Sequence, residues 1–128
     1  MKRFVCQVQE LPIDKPRCFR VEGVDVFVVR TAQGVFALQN RCGHMNAPLH
    51  EGDYTDGLVV CGLHGAGFRI TDGGVEWGAV LPPPISEYST SENERLRRFG
   101  KLIESIETHP VHAYLVTVMD EQVMIEME

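Results

Sequence analysis

The sequence predicts an all-β protein, built as an antiparallel barrel or sandwich, and three observations lead to this fold class. First, the opening forty residues contain short runs rich in Val and Phe, separated by turn signals. Second, residues 40–67 are rich in Gly, His and Cys and contain one short apolar run. Third, two further strand-like runs end the sequence. Many short strands joined by tight turns usually pair as antiparallel sheets.

The first part of the chain is predicted to contain four strands. The third is the strongest, because Val and Phe dominate it, and a turn at residues 31–34 joins it to the fourth as a hairpin. The four predicted strands cover residues 4–8, 17–21, 24–29 and 35–38.

The second part is predicted to contain a short strand, a hairpin, a helix and a terminal strand pair. Ser91 and Glu94 have the Ser-x-x-Glu spacing of a helix start, and apolar residues then recur every three or four positions from Leu96 to Ile106. We therefore predict a helix over about 92–106, within an insertion of about 85–107 that follows Pro82, Pro83 and Pro84. The predicted strands cover residues 58–60, 67–71, 75–77, 113–118 and 123–127.

Length and charge narrow the function classes. The 128 residues fit one domain, which we predict over 1–128. A formal net charge of −6 argues against nucleic acid as a partner, because phosphates repel an acidic surface. No apolar run approaches the roughly 20 residues that cross a bilayer, and the first seven residues do not resemble a signal peptide. These features predict a cytoplasmic protein that does not enter a membrane.

Two short motifs contain the candidate metal ligands. Cys42-Gly43-His44 is followed, after sixteen residues, by Cys61-Gly62-Leu63-His64. Thiolate sulfur and imidazole nitrogen are common ligands of iron and zinc. The glycines let the backbone fold closely around a bulky inorganic group. A zinc site of two Cys and two His remains an alternative, although its usual pattern pairs Cys with Cys and His with His.

This pattern resembles the Rieske [2Fe–2S] family, whose signature is Cys-x-His, 15 to 17 residues, and Cys-x-x-His. The resemblance extends to Leu49 and Gly52, to the His64-Gly65-x-x-Phe68 run and to the three prolines at 82–84, and it is strongest over about residues 24–84. It implies a fold of the Rieske type, with a cluster-binding subdomain over about 40–84. It also implies that Cys42 and Cys61 bind one iron and that His44 and His64 bind the other.

The resemblance implies an electron-transfer protein rather than an enzyme. One [2Fe–2S] cluster per chain would accept an electron from a flavin-dependent reductase and pass it to a Rieske-type oxygenase or other oxidoreductase. Two rivals stay open. The chain could be a small redox subunit of a larger complex, nitrite-reductase-like or ring-hydroxylating, or a sensor whose cluster state gates binding.

Four positions predict a low reduction potential. High-potential Rieske proteins have a disulfide between the two loops, and this chain has Ala47 and Leu63 at the matching positions. They also have a Ser and a Tyr whose hydroxyls bond to the cluster, where this chain has Ala66 and Phe68. Without these hydroxyls the reduced state loses stabilisation. Gly62 departs from the family, which often has Pro there.

The remaining candidates have simpler interpretations. Cys6 and Cys18 fall in predicted strands and are expected to be core residues. His50 is expected at the surface. Glu107, His109 and His112 provide the residue types of a mononuclear iron site, but residues three apart in an extended segment point to opposite faces, so we do not expect them to converge.

Overall fold

The computed structural model describes residues 1–43, 47–62, 65–79 and 85–127, with only the backbone described at 85 and 86. These residues form eleven strands and one α-helix, besides three short 3-10 helices. The helix α1 covers Glu94–Glu104. The strands are β1 (Lys2–Gln7), β2 (Arg17–Val21), β3 (Val24–Thr31), β4 (Gly34–Gln39), β5 (Asp53–Thr55), β6 (Leu58–Val60), β7 (Gly67–Arg69), β8 (Val75–Trp77), β9 (Ala113–Tyr114), β10 (Val116–Met119) and β11 (Gln122–Glu126).

The strands form three sheets, and every strand pair within them is antiparallel. The terminal sheet has the order β1-β11-β10, the central sheet β2-β3-β4-β9, and the third sheet β5-β6-β7-β8. The predicted all-β antiparallel fold is confirmed. The sequence predicted either a barrel or a sandwich, and the described residues form open, stacked sheets and no closed barrel.

The central sheet is buried on both faces, because its side chains alternate between two cores. In β3, Val26 and Val28 contribute to one core, while Phe27 and Val29 contribute to the other. In β4, Ala37 and Leu38 divide in the same way. Successive side chains of a strand point to opposite faces, so a nearly continuous apolar run is what a doubly covered strand requires.

The first core, here called the sandwich core, lies between the terminal and central sheets. Cys6 of β1 and Val123 and Ile125 of β11 pack there with Val26 and Val28 of β3. All five side chains are at most 2% exposed. This packing ties the two ends of the described chain to the central sheet.

The second core, here called the cysteine core, lies on the opposite face of the central sheet. Its members share nearly complete burial and come from the central sheet, the third sheet and the segments that join them. They are Phe27, Val29, Leu38, Cys42, Leu49, Val59, Cys61, Ala66, Phe68, Ile70 and Val111. Two of the predicted metal ligands therefore lie in the same core.

The strand predicted over 113–118 is two strands. β9 pairs with β4 in the central sheet, whereas β10 pairs with β11 in the terminal sheet. The chain changes sheets at Leu115, whose side chain is 77% exposed. Strand β5 was not predicted, since Asp53-Tyr54-Thr55 is short and polar, but it pairs in register with β6.

The predicted helical insertion contains a 3-10 helix, Ile85–Thr90, followed by α1. The two pack closely, since Gly100 leaves no room for a Cβ beside the backbone of Tyr88 and Ser89. Tyr88 contacts Phe99, with ring centroids 6.1 Å apart, and the Ser89 hydroxyl donates to the Glu104 carboxylate at 2.6 Å. The predicted segment Pro82–Pro84 lies outside the described residues.

Candidate metal centre

Cys42 and Cys61 begin two loops that are closed by the same hydrogen bond. The Cys42 backbone N–H donates to the Ala47 carbonyl at 2.7 Å, and the Cys61 N–H donates to the Ala66 carbonyl at 2.9 Å. Each bond joins a cysteine to the residue five positions later. We call residues 42–47 the first loop and residues 61–66 the second loop. Each loop follows a strand, β4 or β6, so the central and third sheets position the two cysteines.

Both thiols are buried in the cysteine core, with Cys42 at 1% and Cys61 at 3% exposure. Cys6 and Cys18 lie elsewhere, in β1 and β2. Within the described residues, which include all four cysteines, none forms a disulfide. Ala47, one of the two positions that match the disulfide of high-potential relatives, contributes to the loop closure instead, and Leu63 lies outside the described residues.

The predicted ligands His44 and His64 lie outside the described residues. They fall inside the first and second loops, two and three positions after the respective cysteine. In the part of the chain that the structure does describe, no group of three or more His, Cys, Asp or Glu could hold a metal ion. The four-residue ligand set of Cys42, His44, Cys61 and His64 therefore remains a prediction, of which the structure brings the two cysteines together.

The first loop is held from outside by the segment that follows α1. The His109 N–H donates to the Gly43 carbonyl at 2.9 Å, and a Cβ at Gly43 would overlap the His109 carbonyl oxygen. Two residues later, the Val111 N–H donates to the Gly73 carbonyl at 2.9 Å. This segment thus connects the first loop to the turn between β7 and β8.

The base of the first loop is closed a second time by Asn40 and His50. The Asn40 side chain is bonded to both the His50 Nδ1, at 2.8 Å, and the His50 backbone N–H, at 2.9 Å. Because the backbone N–H must meet the amide oxygen, the amide NH2 faces the ring and Nδ1 accepts. The expectation that His50 lies at the surface is wrong, since it is half-buried and tied to Asn40, which is 5% exposed.

The second loop is held by Trp77, which the sequence analysis missed. The indole Nε1–H donates to the Gly65 carbonyl at 2.6 Å, and the ring lies over Gly67. Trp77 pairs with Gly67 across β7 and β8. An aromatic residue opposite a glycine in a predicted hairpin is the signal that could have found this contact.

Ala66 and Phe68 are both fully buried beside the two loops. The Phe68 ring comes within van der Waals reach of the first loop, with one ring carbon 3.3 Å from where a Cβ of Gly43 would lie. Neither side chain has a hydroxyl, so neither offers an O–H donor to a group bound between the loops.

Cys6 and Cys18 lie apart from the two loops, whereas His109 contacts the first loop through its backbone. Cys6 belongs to the sandwich core, as expected, and burial raises the pKa of its thiol to about 11. The expectation that Cys18 is a core residue is wrong, since it is half-buried in β2 and belongs to neither core. Burial likewise raises the pKa of its thiol. The Nε2 of the exposed His109 lies 4.0 Å from the Glu107 carboxylate. His112 contacts Tyr114 edge to face, with ring centroids 4.7 Å apart.

The described residues fit an iron–sulfur cluster. Two buried thiols in one core can provide sulfur ligands, and two closed loops of equal length contain the two predicted imidazoles. Thiolates on one iron with imidazoles on the other are the ligand set of a Rieske centre. In the described residues no helix is both long enough and apolar enough to cross a membrane.

Comparisons with known proteins agree with this chemistry. The ferredoxin subunit of 3-phenylpropionate/cinnamic acid dioxygenase from Photorhabdus laumondii is 39% identical over 72 residues, which cover 55% of this chain and 67% of that protein. The iron–sulfur subunit of the toluene-4-sulfonate monooxygenase system from Comamonas testosteroni is 41% identical over 76 residues, covering 56% of this chain but only 22% of that protein. The chain thus matches about a fifth of the length of that second relative.

A solved structure shows the same fold along the whole chain. The ferredoxin of carbazole 1,9a-dioxygenase from Nocardioides aromaticivorans superposes with a TM-score of 0.72 at 24% identity, covering 100% of this chain and 99% of that one. The family model of the Rieske [2Fe-2S] domain matches residues 1–89, which include both loops. The chain belongs to the Rieske [2Fe–2S] domain family.

Proposed function

We propose that this protein is a one-electron carrier whose [2Fe–2S] cluster is bound by Cys42 and Cys61 on one iron and by His44 and His64 on the other. The observation that carries the proposal is the pair of buried cysteines, which begin two loops closed by matching hydrogen bonds in one core. The cluster would supply reversible uptake of a single electron.

The protein's own residues perform three tasks in this function. The sheets hold the two thiols at fixed positions inside a core that excludes water, which keeps the sulfur ligands from exchange with solvent. The hydrogen bonds of Asn40, His109 and Trp77 hold the loops from outside. The imidazoles of His44 and His64 are the proposed exit route for the electron, since they are the ligands of the iron that accepts it.

The proposed donor is a flavin-dependent reductase and the proposed acceptor a Rieske-type oxygenase. The similarity to a dioxygenase ferredoxin subunit, over 67% of that protein's length, supports this role. The 39% identity to that ferredoxin subunit also supports an electron-transfer protein rather than an enzyme. The cytoplasmic location, the single domain and the cluster-binding subdomain over about 40–84 remain predictions from the sequence.

A second candidate is a redox module within a larger oxidoreductase. It is favoured by the 41% identity to the iron–sulfur subunit of a monooxygenase system, of which the match covers 22%. Purification under native conditions separates the two candidates. A carrier elutes alone and exchanges electrons with added partners, whereas a module stays bound to a larger subunit.

The ligand assignment is tested by EPR of the dithionite-reduced protein. We expect the low average g value of a mixed His/Cys cluster in the wild type, and loss of that signal in Cys42→Ser and His64→Ala. Cys18→Ser and His112→Ala are matched controls and should keep the signal. A zinc-containing, iron-free protein, or a signal that survives Cys42→Ser, would show the assignment to be wrong.

The carrier role is tested by adding NADH and a flavin-dependent ferredoxin reductase to the loaded protein. We expect the visible absorbance of the cluster to bleach by one electron per chain and to recover when an oxidised Rieske oxygenase is added. A cluster that dithionite reduces but that exchanges no electrons with either protein would contradict the carrier role while leaving the ligand assignment intact.

A further inference from the structure

Trp77 contacts the second loop at Gly65 and the first residue of β7 at Gly67. Its Nε1–H donates to the Gly65 carbonyl at 2.6 Å, a short bond for a neutral donor and acceptor. A Cβ added at Gly67 would lie between 2.6 and 2.9 Å from three atoms of the indole ring. The ring therefore occupies the space that any side chain at position 67 would need.

The two residues that Trp77 contacts lie one and three positions after the predicted ligand His64. Gly65 is the next residue after His64, and its φ of +74° lies in the left-handed region, which glycine adopts without strain. Because glycine has no side chain to restrict it, the backbone after His64 depends on outside contacts for its orientation. Trp77 provides one such contact at Gly65 and another at Gly67.

A chain of hydrogen bonds connects the indole to Cys61. The Gly65 carbonyl that accepts from Trp77 belongs to the peptide whose nitrogen is that of Ala66. The Ala66 carbonyl accepts from the Cys61 N–H at 2.9 Å, and the Gly65 N–H donates to the Cys61 carbonyl at 3.1 Å. A displacement of the Gly65–Ala66 peptide would therefore reach the cysteine ligand as well as His64.

Core packing does not account for the position of Trp77. β8 is an edge strand of the third sheet, and the Trp77 side chain is 42% exposed. A core residue would bury its ring, whereas this ring keeps one face over the second loop and leaves the rest in water. Its only polar atom is used on the loop backbone.

We propose that Trp77 is a positioning residue of the metal centre, fixing the backbone between His64 and Gly67 and thereby controlling how firmly the cluster is held and how easily it is reduced. This inference rests on the proposed function. The N–H dipole on the Gly65 carbonyl offsets the negative end of that carbonyl. Without it, the extra negative charge of a reduced cluster is less well stabilised, and the reduction potential falls.

Trp77→Phe tests the hydrogen bond, since phenylalanine keeps an aromatic ring and loses the donor. We expect a lower reduction potential in protein-film voltammetry and a loss of cluster to a chelator that is roughly three- to tenfold faster, the effect of one hydrogen bond. Phe4→Leu is the matched control, because Phe4 is also an exposed aromatic residue, at 51%, but lies in the terminal sheet. It should change neither quantity.

The wild-type protein offers a test that needs no variant. Trp77 is the only tryptophan in the chain, so its fluorescence reports this site alone. We expect weak emission while the cluster is bound, because the cluster quenches a nearby indole, and a rise in emission together with greater quenching by iodide when a chelator removes the iron.

The outcomes separate this inference from the proposed function. If the wild type gives the mixed His/Cys EPR signal, but Trp77→Phe matches it in potential and rate of cluster loss, the inference is wrong and the carrier role stands. Emission that does not change on iron removal also overturns the inference. If the wild type binds no cluster, the proposed function fails, and the inference fails with it.

Discussion

Gly43 and Gly62 are equivalent in sequence, each directly after a cysteine that is a predicted ligand, but their surroundings differ. A Cβ at Gly43 would overlap the His109 carbonyl oxygen, and the Phe68 ring is also close. At Gly62 the nearest atom to an added Cβ is 3.8 Å away, an ordinary contact. Close packing of two backbones therefore requires glycine at position 43. Nothing in the described structure requires glycine at position 62.

Alanine at these two positions should have unequal effects. Gly43→Ala forces the first loop away from His109, so we expect a loss of about 1–3 kcal/mol in the free energy of unfolding and a lower iron content. Gly62→Ala is the control, with little change in either. Thermal unfolding and iron analysis of both variants measure this, and equal losses would contradict the backbone contact at Gly43.

Ala66 allows a direct test of the predicted low potential. A serine hydroxyl at this fully buried position, at the end of the second loop, can donate to a cluster sulfur and stabilise the reduced state. We expect Ala66→Ser to raise the potential in protein-film voltammetry. Ala37→Ser adds a hydroxyl at an alanine of the sandwich core and should leave the potential unchanged. A wild-type midpoint near the upper end of the roughly −150 to +300 mV Rieske range would contradict the low-potential interpretation.

The sequence predicts candidate ligands by residue type and spacing, but it does not predict the residues that hold the loops. Closely spaced Cys and His residues indicate metal binding, because thiolates and imidazoles are typical ligands of iron and zinc. The loops are held by hydrogen bonds that involve main-chain groups: the His50 N–H with Asn40, the Gly65 carbonyl with Trp77 and the Gly43 carbonyl with the His109 N–H. Such contacts depend on which segments the fold brings together. Of these contacts, only that of Trp77 has a signal in the sequence, an aromatic residue opposite a glycine in a predicted hairpin.

At the level of elements, α1 shows how a helix signal can be right in kind and wrong in detail. The sequence predicted a helix over about 92–106 with Ser91 as its N-cap, but the N-cap is Asn93, whose side chain accepts from the N–H groups of Arg95 and Leu96. The Ser91 hydroxyl instead accepts from the Asn93 N–H at 3.1 Å, outside the helix. The helix is correspondingly shorter than predicted, at Glu94–Glu104.

The cap gives a prediction for α1 alone. Asn93→Ala removes two hydrogen bonds from the first turn and should cost about 1 kcal/mol of local stability, seen as faster amide exchange in residues 94–97. Asn93→Ser should retain most of the protection, because serine is also a good N-cap. Ser91→Ala serves as the control and should have the smaller effect. A larger effect at Ser91 would restore the start predicted from the sequence.

The terminal strands show a limit of periodicity. Residues 113–118 are a continuous strand-like run without a turn residue, so the sequence predicts one strand. The structure divides it, because Ala113 and Tyr114 complete the central sheet and Val116–Met119 complete the terminal sheet. A pattern of side chains indicates a strand but does not identify its partner, and here the two halves have different partners.

At the scale of the whole molecule, the central sheet separates two cores with different dependence on the metal. The sandwich core contains none of the predicted ligands, and its members come from the terminal and central sheets and, at Leu11, from the segment between β1 and β2. The cysteine core contains both buried thiols, packed with Leu49, Val59 and Phe68. A cluster bound between the loops would therefore support the third sheet and the loops directly, and the terminal sheet only through the central one.

Removal of the cluster should loosen one half of the molecule and spare the other. Hydrogen exchange by mass spectrometry, on loaded and iron-free protein, should show exchange at least roughly tenfold faster, or about 1.4 kcal/mol in local opening, for peptides covering 47–62 and 65–77. Peptides covering β1 and β11 should change little. Val59→Ala in the cysteine core and Val26→Ala in the sandwich core provide matched cavities, each expected to lower the free energy of unfolding by about 1–3 kcal/mol. Metal removal should give the exchange pattern of Val59→Ala and not that of Val26→Ala. Uniform loss of protection would show that the two cores unfold as one unit and that the central sheet does not insulate them.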